Sequence, residues 1–198
     1  MGDHSAQPLS AYRRMKLNLA SGEKYEEGYH NVDWSDGCKS DQVANILEPQ
    51  FWEGLKDSSV TDIRIYHFLE HIPHQLLAAG QKDGLIWFME QCWRVLDHGG
   101  RLEIRYPHHM HGAAYSDPTH TRFIGEHTLW YFSAPWRKMN GLIQMKMNCD
   151  YDLESHVDAQ VMPGYIDMEK SKLNWEATQH WNVLFEIRMA MRAVKPCR

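Results

Sequence analysis

The segment Pro107–His120, PHHMHGAAYSDPTH, places four histidines and an aspartate within fourteen residues. An imidazole changes charge near neutrality, so it can move a proton or lend a lone pair to a metal. One aspartate with two histidines is also the donor set of an open zinc or iron site. The spacing argues against a metal centre here. His108, His109 and His111 on one extended piece send neighbours to opposite sides, and the chain has neither HExxH nor a Cys–His pairing at ligand spacing. No metal is therefore expected, and the segment reads as a lid and substrate-binding loop. Asp117 and Pro118 predict a helix start, with aspartate at the N-cap and proline in the first turn. His120 and Arg122 would project from that turn, and Phe123, Leu129, Trp130 and Phe132 would anchor it.

The elements that position this loop are legible in the hydrophobic pattern. Met15–Ala20 alternates and is halted by Ser21-Gly22, which predicts a strand; Tyr29–Trp34 predicts a second, Gln42–Leu47 a weaker third, and Val60–Tyr66 a fourth. From Leu85 to Leu96 the apolar positions recur at three- and four-residue steps, a helix that His98-Gly99-Gly100 is expected to stop. Arg101–Pro107 resumes as a strand, so the histidine segment begins where that strand ends. Leu142–Leu153 and Asn182–Val194 are two further strand candidates. Strands alternating with helical patterns imply an α/β, mostly parallel sheet, in which ligands lie beyond the carboxyl ends of the strands. Tyr66 and His67 close the fourth strand at that edge, with Glu70 and His71 one turn on.

Composition bounds the rest. The chain of 198 residues suits one domain, taken as 15–198, preceded by an arm over 1–14. A net charge of −5 argues against a broad nucleic-acid surface. Four cysteines without a CxxC pair read as reduced thiols, and neither a secretory leader nor a membrane span is evident, so a cytoplasmic location is expected.

Two segments carry a family resemblance. LNLASG at 17–22 precedes GYHNVD at 28–33, and VTDIRIYHFLEHI at 60–72 precedes RVLDHGGRLEIRYP at 94–107. With DPTH at 117–120 and the strand closing at Pro196, this order resembles small class I S-adenosylmethionine-dependent methyltransferases over residues 15–196. The resemblance implies a Rossmann-like, mostly parallel seven-stranded sheet with helices on both faces and one antiparallel strand near the C-terminus. It implies S-adenosyl-L-methionine as cofactor, held by Ala20, Ser21, Gly22, Asp33, Trp34, Asn45, Tyr66 and His67. A turn free of bulky side chains lets amides meet the amino-acid tail, and an acid at the tip of the second strand accepts from the ribose. The G-x-G-x-x-G of a dinucleotide site is missing. Ala20 stands where the family usually has glycine, Asn45 where relatives often carry an acid, and Asp97-His98 replaces lysine–proline. The first helix is compressed into Glu23–Glu27.

His67, His71 and His120 are the candidate catalytic residues, as general bases for an oxygen nucleophile, and His108, His111, Asp117, His120 and Arg122 the candidate substrate contacts. The acceptor implied is a small molecule, sugar or nucleotide-type compound, with no nucleic-acid polymer or membrane as partner and a monomer or homodimer as the assembly. Two rival readings make different predictions. A catalytically inactive binding subunit of the same fold would bind cofactor feebly and expose an apolar contact around Trp130, Phe132 and Trp136. A metal-dependent hydrolase or lyase built on residues 108–120 would lose activity to a chelator.

Overall fold

The computed structural model describes residues 15–80, 82–154 and 158–198, without the side chain of Asp158. The arm expected over 1–14 lies outside the described residues. The strands are β1 (Met15–Leu19), β2 (His30–Asp33), β3 (Gln42–Val43), β4 (Val60–Tyr66), β5 (Leu96–Pro107), β6 (Tyr151–Leu153), β7 (Asp158–Val161) and β8 (Leu184–Ala193). The helices are α1 (Pro49–Glu53), α2 (Gly84–Val95), α3 (Ala113–Ser116), α4 (Ala134–Met139) and α5 (Lys170–Gln179), with short 3-10 turns that include Leu69–His71.

The strands form one sheet in the order β3-β2-β1-β4-β5-β8-β6, with β7 also paired to β8. The pairs from β3 to β5 are parallel, and β8 runs antiparallel to β5, β6 and β7. This is the α/β Rossmann-like architecture expected, with a single reversed strand. The strand count is corrected from seven to eight, because two short pieces, β6 and β7, share the flank of β8.

The two faces of the sheet differ. Leu17 and Leu19, Ile63 and Ile65, Leu102 and Ile104, and Ile187, Met189 and Met191 are buried on one face, in one cluster with Phe51, Trp52, Phe88, Met89 and Cys92 from α1 and α2. The intervening positions carry Asn18, Arg64, Tyr66, Glu103, Arg105 and Arg188, several of them half-exposed. Side chains alternate across a strand, so the period-2 pattern of VTDIRIY and RLEIRYP is that of strands with one apolar face. Strands packed on both faces read as continuous apolar runs instead.

Four local expectations are corrected. The helix α2 ends at Val95, and Leu96, the first residue of β5, is already extended and paired to Val60 of β4. The glycine pair therefore lies inside β5, where Gly99 at φ +75° makes the bend before regular pairing resumes at Arg101. No helix forms over Glu23–Glu27, because the buried Asn31 amide accepts from the Glu26 N–H and donates to the Glu26 and Tyr29 carbonyls. The long strands expected at 42–47 and 142–153 shrink to Gln42–Val43 and Tyr151–Leu153. Asn45 turns the first back by accepting from Leu47 N–H, and the alternating apolar residues before Tyr151 include an exposed Ile143. The Asp117 N-cap is also absent: the short α3 precedes it, and Asp117 instead accepts from the Thr119 N–H at 2.8 Å.

At the start of α2, Asp83 accepts from the Leu85 N–H at 2.8 Å. Gly84 follows because a Cβ there would lie 2.2 Å from the Pro73 carbonyl oxygen. Among the described residues, no helix is long and apolar enough to cross a membrane.

Candidate functional site

Register gathers the candidate residues at one end of the sheet. Leu19 pairs with Val32 on one side and Ile65 on the other, so the chain leaves β1, β2 and β4 side by side as Ala20–Gly22, Trp34 and His67. The end of β5 at Pro107 pairs with Glu186 of β8, which completes the row.

The turn after β1 keeps the shape a glycine would give it. Ala20 adopts φ +52° and Gly22 φ +53°, both left-handed. Ser21 N–H donates to the Val32 carbonyl at 3.1 Å, and Gly22 N–H donates to Asp33 Oδ2 at 2.8 Å. Asp33 is buried, and its other oxygen accepts from Ser35 N–H at 2.9 Å. The Ser21 hydroxyl is buried with no hydrogen-bond partner among the described residues. Trp34 beyond it is 78% exposed. Asn45 is spent locally: its side chain takes the Leu47 N–H and donates to Glu48 ahead of α1.

Tyr66 turns onto the polar face, where its hydroxyl donates to Glu103 Oε1 at 2.5 Å beneath the Arg105 guanidinium. Burial and that carboxylate push the phenol up to about 12. His67 takes the opposite course. It sits at φ +54°, a conformation uncommon outside glycine, fixed by its N–H donating to the Arg105 carbonyl at 2.8 Å. Its Nδ1 lies 3.6 Å from Glu70 Oε1 and its Nε2 2.8 Å from Glu186 Oε2. The Glu70 carboxylate raises its pKa, partial burial opposes this, and Glu186 adds to the rise.

His67 opens onto an open cavity of about 690 Å³ that Glu70, His71, His111, Asp117 and His120 also line, with Pro107 and Phe185 beside them. His71 Nδ1 is 2.9 Å from the Thr119 hydroxyl, which donates to Asp117 Oδ1 at 2.6 Å. His120 Nδ1 is 3.0 Å from the Ala114 carbonyl, and the two imidazole rings meet edge to face at 4.7 Å. His111 accepts from Ala113 N–H through Nδ1.

Two expected contacts lie elsewhere. His108 is buried beside a different cavity, with Nε2 bonded to Glu126 and Nδ1 accepting from Met110 N–H. Arg122 is corrected from a projecting residue to a buried clamp, since its guanidinium donates to the Ile72 carbonyl at 2.6 Å and to Asp83 at 2.8 Å. Glu186 was not anticipated. It stands 119 positions from His67 in the chain, and its only sequence signal is an acid inside the apolar run of β8. Phe132 is buried in the core, as an anchor of the segment and not on the exposed apolar contact of the binding-subunit reading.

No family model matches the chain, and no curated protein matches it in sequence. In three dimensions it is similar to a SAM-dependent methyltransferase from Archaeoglobus fulgidus, at 15% identity and TM-score 0.55, over 90% of this chain and 86% of that one. It is also similar to a chain of the complex between the Haloferax volcanii Trm112 methyltransferase activator and a methyltransferase, at 11% identity and TM-score 0.51, over 91% of this chain and 83% of that one. A third similar structure is the [4+2]-cyclase SpnF, at 10% identity and TM-score 0.50, over 91% of this chain and 75% of that one. The chain has the class I S-adenosylmethionine-dependent methyltransferase fold.

Proposed function

We propose that this protein is an S-adenosylmethionine-dependent methyltransferase that acts on a small polar acceptor, a sugar or nucleotide-type compound included. The observation that carries the reading is the row formed by the Ala20–Gly22 turn, Asp33 and His67 at the carboxyl edge of β1, β2 and β4. Fold alone does not assign an activity; the similar cyclase makes the same point. Activity is therefore decided by the residues of the site.

The donor set fits the cofactor. A partnerless buried hydroxyl at Ser21 is costly unless something satisfies it, and a tail carboxylate or ammonium beside the turn would do so. Open space at Gly22 admits a close approach, since a Cβ there would meet nothing within 4 Å. Asp33 keeps acceptor capacity beyond its two amide bonds for ribose hydroxyls. Ala20 contributes its backbone, with Trp34 and Asn45 on the adenine side and Tyr66 and His67 toward the transferred group. When bound, the cofactor supplies a methyl carried on a sulfonium.

The protein's own part is alignment and proton handling. In-line transfer gains mostly from holding the nucleophile in register, and the cavity beyond His67 does this with polar walls from His111, Asp117 and His120. His67 takes the proton of a hydroxyl acceptor at Nδ1, because Glu186, 2.8 Å from Nε2, stabilises its charged form. His71, tied to Asp117 through Thr119, positions the acceptor. Tyr115 stacks on Phe123 at 4.3 Å and lies 5.3 Å from Trp181, all partly exposed on the outer side of α3, and such ring faces suit a sugar. Four free thiols fit a reducing compartment such as the cytoplasm.

Calorimetric titration with S-adenosylhomocysteine tests the reading. Micromolar binding is expected, weakened at least tenfold (about 1.4 kcal/mol) in Asp33→Ala. Silence at millimolar ligand rejects it.

A further inference from the structure

We propose that Glu70, His71 and His120 form a binding site for a divalent transition cation at the floor of the cavity. One ligand atom from each of the three lies within 4.8 Å of the other two. Proximity alone would be weak, and the hydrogen-bond pattern supplies the rest.

Glu70 is 3% exposed, yet both its carboxylate oxygens lack a hydrogen-bond partner among the described residues. The nearest cation candidate, His67 Nδ1, stands off at 3.6 Å from Oε1, beyond a good hydrogen bond. A buried carboxylate left this way is expensive unless paired or bound to a metal. The residue also lines the cavity, with both carboxylate oxygens shielded from solvent.

Both histidines have their second nitrogens prepared. A carbonyl oxygen only accepts, so His120 Nδ1, facing Ala114, carries the proton and leaves a lone pair on Nε2. The Thr119 hydroxyl gives its proton to Asp117, so it accepts from His71 Nδ1, and His71 Nε2 is likewise left with a lone pair. This is how metal-binding imidazoles are held: the far nitrogen is pinned to a carbonyl or a carboxylate chain, and the near one is aimed. Asp117 Oδ2, 3.9 Å from His120 Nε2, adds another acceptor. The cluster thus brings acceptors together, and a cation between them would satisfy all three.

The neighbouring group of His108, His109 and Glu126 shows the contrast. Its ligand atoms also lie within 4.8 Å of one another, but His108 spends Nε2 on Glu126 and Nδ1 on the Met110 N–H. No lone pair on that ring is free.

Two imidazoles and one carboxylate suit zinc, manganese or ferrous iron, whereas magnesium and calcium take oxygen ligands. The remaining coordination positions face the cavity. There the ion would bind an acceptor oxygen and ease loss of its proton, and this use alone rests on the methyl-transfer reading.

The test is equilibrium dialysis of the untagged full chain against Zn²⁺, with Co²⁺ absorption reporting the ligand field. About one equivalent held at micromolar affinity is expected. Glu70→Gln and His120→Gln should each weaken it at least tenfold, and His109→Gln should leave it unchanged. His71→Gln, at a partly exposed ring, provides a further reading should a buried variant fail to fold. Binding that survives in every foldable variant of the three ligands, or none above background, overturns the site. Titration of S-adenosylhomocysteine on the same samples separates the two proposals. Cation binding without nucleoside binding keeps the site and discards methyl transfer; nucleoside binding without the cation does the reverse.

Discussion

Ala20 holds a backbone conformation that side chains resist. Its φ of +52° places the Cβ against its own carbonyl, at a cost of roughly 1–2 kcal/mol that glycine escapes. Ala20→Gly is therefore expected to raise stability by roughly 0.5–1 kcal/mol, the strain relieved less the greater freedom of the unfolded chain. A rightward shift of the urea midpoint at constant slope would show it; a loss of stability would mean the alanine methyl packs usefully. At this scale the sequence was a partial guide. Glycine-22, Asp33 and His67 were legible because short local patterns set them at strand ends. Arg122 was misread, because its direction depends on Asp83 and Ile72, 39 and 50 positions away. Glu186 was invisible for the same reason.

Between elements, Arg122 staples the segment after the cavity wall to the start of α2. It is 7% exposed, so truncation leaves Asp83 and the Ile72 carbonyl short of a partner. Arg122→Ala is predicted to cost about 2–4 kcal/mol, below the fully buried limit because Asp83 keeps some solvent. Thermal unfolding measures it, and a shift of only a degree or two would contradict the clamp. The reading of elements succeeded where an apolar stripe was long, as in α2 and β4. It failed where period alone was asked to decide. Residues 142–149 alternate like a strand but form no ladder, and Asp117 has the residue type of an N-cap but bonds within a turn. Alternation states which residues can face one way, and pairing decides whether a ladder forms.

Over the whole molecule, the polar face of the sheet is an electrostatic unit. Glu103 accepts from Tyr66, Arg101 and Arg105. Burial raises its pKa, but those hydrogen bonds outweigh it and bring the value down to about 2. A depressed carboxylate stabilises the fold above its unfolded value, near 4.3, and that stability is lost as pH falls through about 2. Discounted for its partial exposure, the contribution is on the order of 2 kcal/mol. Glu103→Gln should be less stable at neutral pH and converge on the parent between pH 4 and 2 (approximate bounds), as followed by urea midpoints. Parallel curves would place the acid sensitivity elsewhere, in Asp41 for example, which is also held near 2. The α/β class and the mostly parallel sheet were legible at this scale because alternation and helix period are summed over many residues. The divided flank of β8 was not, since no local pattern encodes it. That division has its own consequence. One margin of the sheet ends in the two residues of β3 and the other in the three and four residues of β6 and β7. Runs this short offer few consecutive free amides and carbonyls, so neither margin can template a long intermolecular ladder. A pair of these molecules would have to meet through side chains on another surface, and the sheet itself resists growing into a fibre.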